Sequence, residues 1–126
     1  ALNENLKTII IGGASCPFRL FEALKDRDLK VYNVFGMTEV SGCIGINDTM
    51  DGTYKIFASS KVAIEADGEI VVSGDCVMKG YDKDEAYTKR VIRDGVYHTG
   101  DIGRINDKGR LVLLKLRLFF FQQERR

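Results

Sequence analysis

Residues 31–39 read Val31-Tyr32-Asn33-Val34-Phe35-Gly36-Met37-Thr38-Glu39, and this stretch decides how the rest of the sequence is interpreted. Its first residues are β-branched or aromatic, which is typical of a strand, and Gly36 then lets the backbone bend. In open α/β sheets, ligands bind at the carboxyl ends of the strands. The stretch therefore indicates either a ligand-binding strand end or a plain strand that runs into a polar turn.

Three side chains of this stretch suit a planar, negatively charged ligand. Phe35 offers a flat apolar face to a ring, and the hydroxyl of Thr38 can donate a hydrogen bond to an anionic oxygen. Glu39 can hold a hard cation such as Mg²⁺, which prefers carboxylate and phosphate oxygens. The order of these groups favours the ligand-binding interpretation only if other parts of the chain supply further ligand contacts.

Composition excludes several classes of protein. The 126 residues fit one domain, and the formal net charge of +1 gives no basic field for nucleic acid. No apolar run is long enough to span a bilayer, and the start, Ala1-Leu2-Asn3-Glu4, does not resemble a signal peptide. Cys16, Cys43 and Cys76 lack the spacing of metal ligands. We expect reduced, buried thiols in a cytoplasmic protein.

The first third of the chain predicts a βαβ unit. Thr8–Ile11 is a continuous apolar run that suits a buried parallel strand, and the turn Gly12-Gly13-Ala14 follows it. A helix that ends near Asp26 then leads into a strand over residues 30–35. Because parallel strands end at the same edge of a sheet, we expect this glycine turn to lie close to Phe35 and Gly36.

The rest of the chain predicts mostly antiparallel strands and one short helix, over residues 82–91. The predicted strands are residues 43–46, 62–65, 69–73, 102–105 and 110–116. Residues 53–58 carry no clear pattern. The predicted fold class is therefore α/β (α+β), a βαβ piece at residues 1–46 followed by a β-subdomain at 47–116 and an atypical tail at 117–126.

Three patches, taken together, resemble the adenylate-forming superfamily, which includes acyl- and aryl-CoA ligases, luciferases and the adenylation domains of peptide synthetases. They are Gly12-Gly13-Ala14, Phe35-Gly36-Met37-Thr38-Glu39 and Tyr97-His98-Thr99-Gly100-Asp101, with residues 68–74 and 77–81 between the last two. The resemblance extends over residues 8–114. Met37 stands where the peptide-synthetase domains usually carry proline, so the chain is most similar to the acyl-CoA ligases.

The resemblance implies a reaction in two steps. A carboxylate attacks the α-phosphate of ATP to give an acyl-adenylate and pyrophosphate, and the thiol of CoA then displaces AMP to form a thioester. Because negative charge develops on the phosphate, such catalysis needs hydrogen-bond donors and a metal ion around it. The implied cofactors are ATP or AMP and Mg²⁺, and the implied partners are a small carboxylate substrate and CoA.

The resemblance also implies a role for each matching residue. Phe35 stacks on the adenine, Thr38 bonds the α-phosphate oxygens, Glu39 binds Mg²⁺ and Asp101 accepts the ribose hydroxyls. The remaining positions of the implied nucleotide site are Gly13 and Ala14, as a wall beside the adenine pocket, with Gly36 and Met37. The only histidine, His98, is expected to be a solvated neighbour of this site rather than a catalytic base.

The chain departs from the family pattern at both ends. The phosphate-binding loop and the C-terminal domain with its lysine have no match, and Arg117 comes one place late for the hinge arginine, so we do not assign it to ribose. We therefore expect a segment of a larger enzyme with little ligase activity of its own. Open edges on strands such as Thr8–Ile11, or the aromatic residues 119–121, predict a homo-oligomer.

Two other functions remain open. The first is a nucleotide-binding or interaction module that uses the same scaffold without chemistry. The second is an adenylating segment that transfers its acyl group to a carrier-protein thiol instead of CoA, against which Met37 is mild evidence. The sequence does not identify the carboxylic acid.

Overall fold

The computed structural model describes residues 5–13, 16–49 and 51–117. Within them lie nine strands, two α-helices and one 3₁₀ turn, Thr38–Val40. The elements are β1 (Thr8–Ile11), α1 (Phe18–Lys25), β2 (Lys30–Met37), β3 (Gly42–Asn47), β4 (Thr53–Ile56), β5 (Lys61–Ile64), β6 (Glu69–Ser73), α2 (Glu85–Val91), β7 (Ile92–Arg93), β8 (Val96–Ile105) and β9 (Leu111–Lys115). A mixed, mostly antiparallel sheet with two helices confirms the predicted fold class.

The strands follow the order β1-β2-β3-β4-β9-β8-β6-β5, and β7 pairs with β8 beside this path. Only β1 and β2 pair in parallel, which confirms the predicted βαβ unit, and the other pairs are antiparallel. Strand β4, which the sequence left unassigned, connects the two halves of the sheet through β3 and β9. The division predicted at residue 46 stays a prediction. The path of paired strands continues from β3 to β4 across this position.

Strand β1 is less buried than its apolar sequence predicts. It lies at the end of the described sheet, so only β2 pairs with it, and the side chain of Ile10 is 65% exposed. Helix α1 buries Phe21 but leaves Phe18 and Leu20 largely exposed. The expectation of a buried strand was therefore wrong, since a strand is buried only when neighbours cover both its edge and its faces.

The hydrophobic core is one cluster of residues from both parts of the strand path, β2–β3 and β4–β9. Its buried members are Phe35, Val40, Ile44, Tyr54, Ile70, Val72, Val91, Tyr97 and Leu111. Strand β8 contributes through strict alternation, with Tyr97, Thr99, Asp101 and Gly103 buried and the residues between them more exposed. The polar cluster seen in the sequence at residues 97–101 is therefore the middle of a strand, which presents Thr99 and Asp101 on one face.

The three cysteines are free thiols, but the expectation that they are buried was wrong. Cys43 is exposed, and Cys16 and Cys76 are partly buried. None of the helices in the described part of the chain has the length and apolar character needed to cross a bilayer.

Candidate functional site

A cavity of about 520 Å³ opens where the carboxyl end of β2 faces the middle of β8. It is lined by Gly13, Val34, Phe35, Gly36, Met37, Thr38, Glu39, Tyr54, Thr99, Asp101, Leu113, Leu116 and Arg117. Every described residue that the sequence analysis assigned to a nucleotide site is in this set. Ala14, which was also assigned, lies outside the described residues.

Gly36 lets β2 reach the cavity and turn there. The pairing between β2 and β3 shifts register between Phe35 and Gly36, and a Cβ atom on Gly36 would lie 1.7 Å from the carbonyl oxygen of Gly42. Any larger residue would push the two strands apart. The 3₁₀ turn begins directly after β2, and it places Thr38 and Glu39 in the lining of the cavity.

Glu39 is the carboxylate at this end of the cavity. Its Oε1 accepts a hydrogen bond of 2.5 Å from the hydroxyl of Tyr81, and its backbone oxygen accepts one of 2.8 Å from the amide of Met78. Thr38 beside it is exposed and belongs to the lining of the cavity. Among residues 5–13, 16–49 and 51–117, no three acidic, histidine or cysteine side chains gather into a metal site.

Asp101 is the carboxylate at the opposite side of the cavity. Its side chain is buried, and its Oδ1 accepts a hydrogen bond of 2.6 Å from the backbone amide of Arg117. Burial raises the pKa of Asp101, and the hydrogen bond from Arg117 acts in the opposite direction. A carboxylate offers about four acceptor positions. One donor from Arg117 therefore leaves Asp101 able to accept further hydroxyl groups.

The backbone around Asp101 is held by β6. The hydroxyl of Thr99 donates to the carbonyl of Ile70 at 2.7 Å and accepts from the amide of Asp101 at 3.0 Å. Glu69 accepts a bond of 2.8 Å from the amide of Gly100 with one carboxylate oxygen, and its other oxygen lies 3.0 Å from Nδ1 of His98. These bonds fix the direction in which Asp101 enters the cavity.

His98 is not the solvated neighbour that the sequence analysis expected. Its side chain is only 16% exposed, because it pairs with Glu69 across the sheet. It points to the face of β8 opposite Thr99 and Asp101 and is absent from the described lining of the cavity. That His98 is not a catalytic base stays a prediction.

Phe35 reaches the cavity as part of its wall. The ring is 7% exposed and packs against Tyr54, with ring centroids 5.9 Å apart. The hydroxyl of Tyr54 in turn accepts a hydrogen bond of 3.1 Å from the amide of Asn33, and burial raises the pKa of Tyr54. Phe35 therefore belongs to the core as well as to the cavity wall, and only a small part of its ring is exposed to a ligand.

Sequence reasoning missed several residues of the lining: Val34, Tyr54, Thr99, Leu113, Leu116 and Arg117. Thr99 carried a signal, because it directly precedes Gly100 and Asp101 in the third patch. Tyr54 and Leu113 carried none, since their place depends on strand β4 and its pairing with β9. Arg117 was set aside on its spacing, yet its amide bonds Asp101.

Comparison with known proteins identifies relatives that are named as CoA ligases. The chain is 34% identical over 121 residues to 2-succinylbenzoate–CoA ligase of Listeria innocua, a match that covers 91% of this chain and 26% of that protein. It is 33% identical over 117 residues to long-chain-fatty-acid–CoA ligase FadD15 of Mycobacterium bovis, with coverage of 90% and 20%. The chain thus spans about a quarter of the length of the first relative.

Solved structures agree with these relatives. O-succinylbenzoate coenzyme A synthetase (MenE) of Bacillus subtilis in complex with AMP superposes with a TM-score of 0.77 at 30% identity, over 92% of this chain and 27% of that one. The same enzyme in complex with ATP and magnesium ion gives a TM-score of 0.76 over 90% of this chain. No family model matches the sequence. The chain is therefore homologous to one segment of the acyl-CoA ligases, which are enzymes of the adenylate-forming superfamily.

Proposed function

We propose that this chain is the nucleotide-binding segment of an ATP-dependent, AMP-forming acyl-CoA ligase. The proposal rests on one observation: Thr38 and Glu39 share a cavity with Asp101, although they are far apart in the sequence. A hydroxyl, a half-buried carboxylate and a buried carboxylate line one cavity, and these groups suit the phosphate, the metal ion and the ribose of an adenosine phosphate. The relatives named as CoA ligases, and the neighbour solved with AMP, support this assignment.

In the proposed mode of binding, adenine lies along Phe35, and Gly13 allows the backbone to approach the base. Asp101 accepts hydrogen bonds from the ribose hydroxyls, which an ionised carboxylate does well. Thr38 donates to the α-phosphate oxygens as negative charge develops there. Gly36 allows the close approach of β2 to β3, and Met37 pairs with Gly42 beside it, which holds the carboxyl end of β2 in place.

The residues present fit Mg²⁺ bound together with a nucleotide. Magnesium is usually held by one or two carboxylates and by substrate phosphates, and it keeps several waters. Glu39 supplies one carboxylate at the mouth of the cavity, and Tyr81 bonds only one of its oxygens. When bound, the ion would neutralise phosphate charge. CoA is the proposed acceptor of the acyl group, the parent protein is proposed to be cytoplasmic, and a second copy of the chain is a proposed partner.

The test is AMP binding by isothermal titration calorimetry, with Asp101→Asn as the informative variant. The amide keeps an acceptor for the amide of Arg117 but loses the charge. A hydrogen bond to a charged group contributes about 1.5 to 3 kcal/mol, so the affinity should fall roughly tenfold to 100-fold. Asp107→Asn, in the exposed turn between β8 and β9, is the matched control and should bind as the wild type does.

Two results would contradict the proposal. One is a wild-type chain that binds neither AMP nor ATP. The other is an Asp101→Asn variant that keeps the wild-type affinity while its thermal unfolding is unchanged, because the ribose would then be bound elsewhere. AMP binding without any ATP consumption, even when the rest of a ligase is supplied, would favour the non-catalytic module.

A further inference from the structure

The loop of residues 74–84, between β6 and α2, forms a support for the 3₁₀ turn that carries Glu39. The amide of Met78 donates to the backbone oxygen of Glu39 at 2.8 Å, and the hydroxyl of Ser41 donates to the backbone oxygen of Cys76 at 2.9 Å. The hydroxyl of Tyr81 donates to Oε1 of Glu39 at 2.5 Å. Both the backbone and the carboxylate of Glu39 are thus tied to the same loop.

Tyr81 is itself held in a defined orientation. Its amide donates to the hydroxyl of Thr88 at 2.9 Å, and that hydroxyl donates to the backbone oxygen of Asp84 at the start of α2. Its ring packs against that of Tyr87, with centroids 5.0 Å apart. Tyr81 therefore presents its hydroxyl to Glu39 from a fixed platform at the start of α2.

The Tyr81 hydroxyl is a permanent donor. A tyrosine hydroxyl carries its proton at neutral pH, and this one donates it to Oε1 of Glu39. The second carboxylate oxygen is then the one that can take a cation at the mouth of the cavity.

We propose that Tyr81 is a positioning residue, which orients the carboxylate of Glu39 for the magnesium ion that accompanies ATP. The inference rests on the proposed function, because it needs a nucleotide in the cavity. Mg²⁺ requires nearly ideal octahedral geometry, so a carboxylate that rotates freely is a poor ligand. Groups that hydrogen-bond a ligating carboxylate fix its orientation, and their loss typically weakens metal binding.

The variant that isolates this role is Tyr81→Phe, because it removes one hydroxyl and keeps the ring that packs on Tyr87. Tyr87→Phe is the matched control, since it removes a hydroxyl from the neighbouring ring and leaves the bond to Glu39 intact. The readout is the ratio of ATP affinities measured by calorimetry with Mg²⁺ and with EDTA. Adenosine, which carries no phosphate, reports the state of the rest of the cavity.

In the wild type we expect Mg²⁺ to strengthen ATP binding. Tyr81→Phe should reduce this advantage by roughly tenfold, in line with the loss of a group that orients a metal ligand, while the affinity for adenosine stays that of the wild type. Tyr87→Phe should keep the full advantage. Adding Tyr81→Phe to Glu39→Gln should cause no further loss, because the two side chains would act through one interaction.

Three results would overturn the inference. A Tyr81→Phe variant that keeps the magnesium advantage shows that Glu39 needs no orientation by the hydroxyl. A wild type that binds adenosine and ATP, but gains nothing from Mg²⁺, removes the metal role and leaves the nucleotide site intact. A wild type that binds no adenosine and no ATP overturns the proposed function, and this inference falls with it.

Discussion

The carboxylate of Asp101 lies in surroundings that favour its neutral form, and this shapes how the cavity responds to acid. Burial raises its pKa above the usual 3.8. A raised pKa means that the folded chain takes up a proton at Asp101 before a free aspartate would. The ribose hydroxyls of the proposed ligand would lose this acceptor when that proton arrives.

We therefore expect the affinity for adenosine to fall as the pH falls through a value above 3.8. Asp101→Asn should lack this transition, because its side chain does not titrate in that range. Fluorescence or calorimetric titration over a pH series measures both curves. Adenosine is the suitable probe because it has no phosphate to titrate. Parallel curves for the wild type and the variant would show that Asp101 does not set the pH dependence.

At the scale of residues, the sequence identified those groups whose chemistry and neighbours along the chain were both unusual. Thr38 and Glu39 follow a strand and a glycine, and Asp101 follows another glycine, so each was visible without a structure. Tyr54 and Tyr81 were not visible. An isolated tyrosine has many structural uses, and its part in a site depends on which distant strand or loop it packs against.

Strand β9 shows how one element serves both the core and the surface. Leu111 is completely buried, whereas Leu114, three residues further along, is 60% exposed. The two leucines therefore differ in burial within one strand. They form a matched pair for measuring what the core contributes to stability.

Leu111→Ala should lower the free energy of unfolding by about 2 to 5 kcal/mol, since it leaves a cavity beside Tyr54 and its neighbours. Leu114→Ala should change it by no more than about 0.5 kcal/mol, as is usual for surface positions. Urea unfolding followed by circular dichroism measures both. Equal effects from the two substitutions would mean that the core does not lie where the structure places it.

At the scale of elements, the sequence-based predictions were wrong for strands whose burial does not match the hydrophobic pattern of their own residues. Strand β4 has a polar and mixed sequence and escaped notice, although it pairs with β3 on one side and β9 on the other. Strand β1 was expected to be buried because it is apolar throughout, yet it ends the described sheet. Strands β5 and β6, in contrast, were predicted at residues 62–65 and 69–73, and the structure confirms them as an antiparallel pair.

At the scale of the whole molecule, β1 ends the described sheet, and no described strand pairs with its outer edge. Backbone groups along a strand edge can pair with another chain, and Ile10 adds an exposed apolar side chain there. Phe18 and Leu20 of α1 are exposed as well. The proposed homo-oligomer would cover this region.

We expect the mass measured by light scattering to rise with concentration for the wild type. Ile10→Lys should shift the chain toward the monomer, because a lysine on an edge strand disfavours pairing with another edge. Leu114→Lys, which adds the same charge at an exposed position of β9, should leave association unchanged. A wild type that stays monomeric at every concentration would argue against association through β1.

Strand β4 also gives the cavity its dimensions. It makes two residue pairings with β3 and two with β9, and it is the only described strand that joins the half carrying Glu39 to the half carrying Asp101. A single inserted residue would turn Tyr54 outward, since side chains alternate between faces. A change in the length of β4 itself would therefore alter the separation between Glu39 and Asp101, and the cavity would no longer fit the nucleotide that we propose for it.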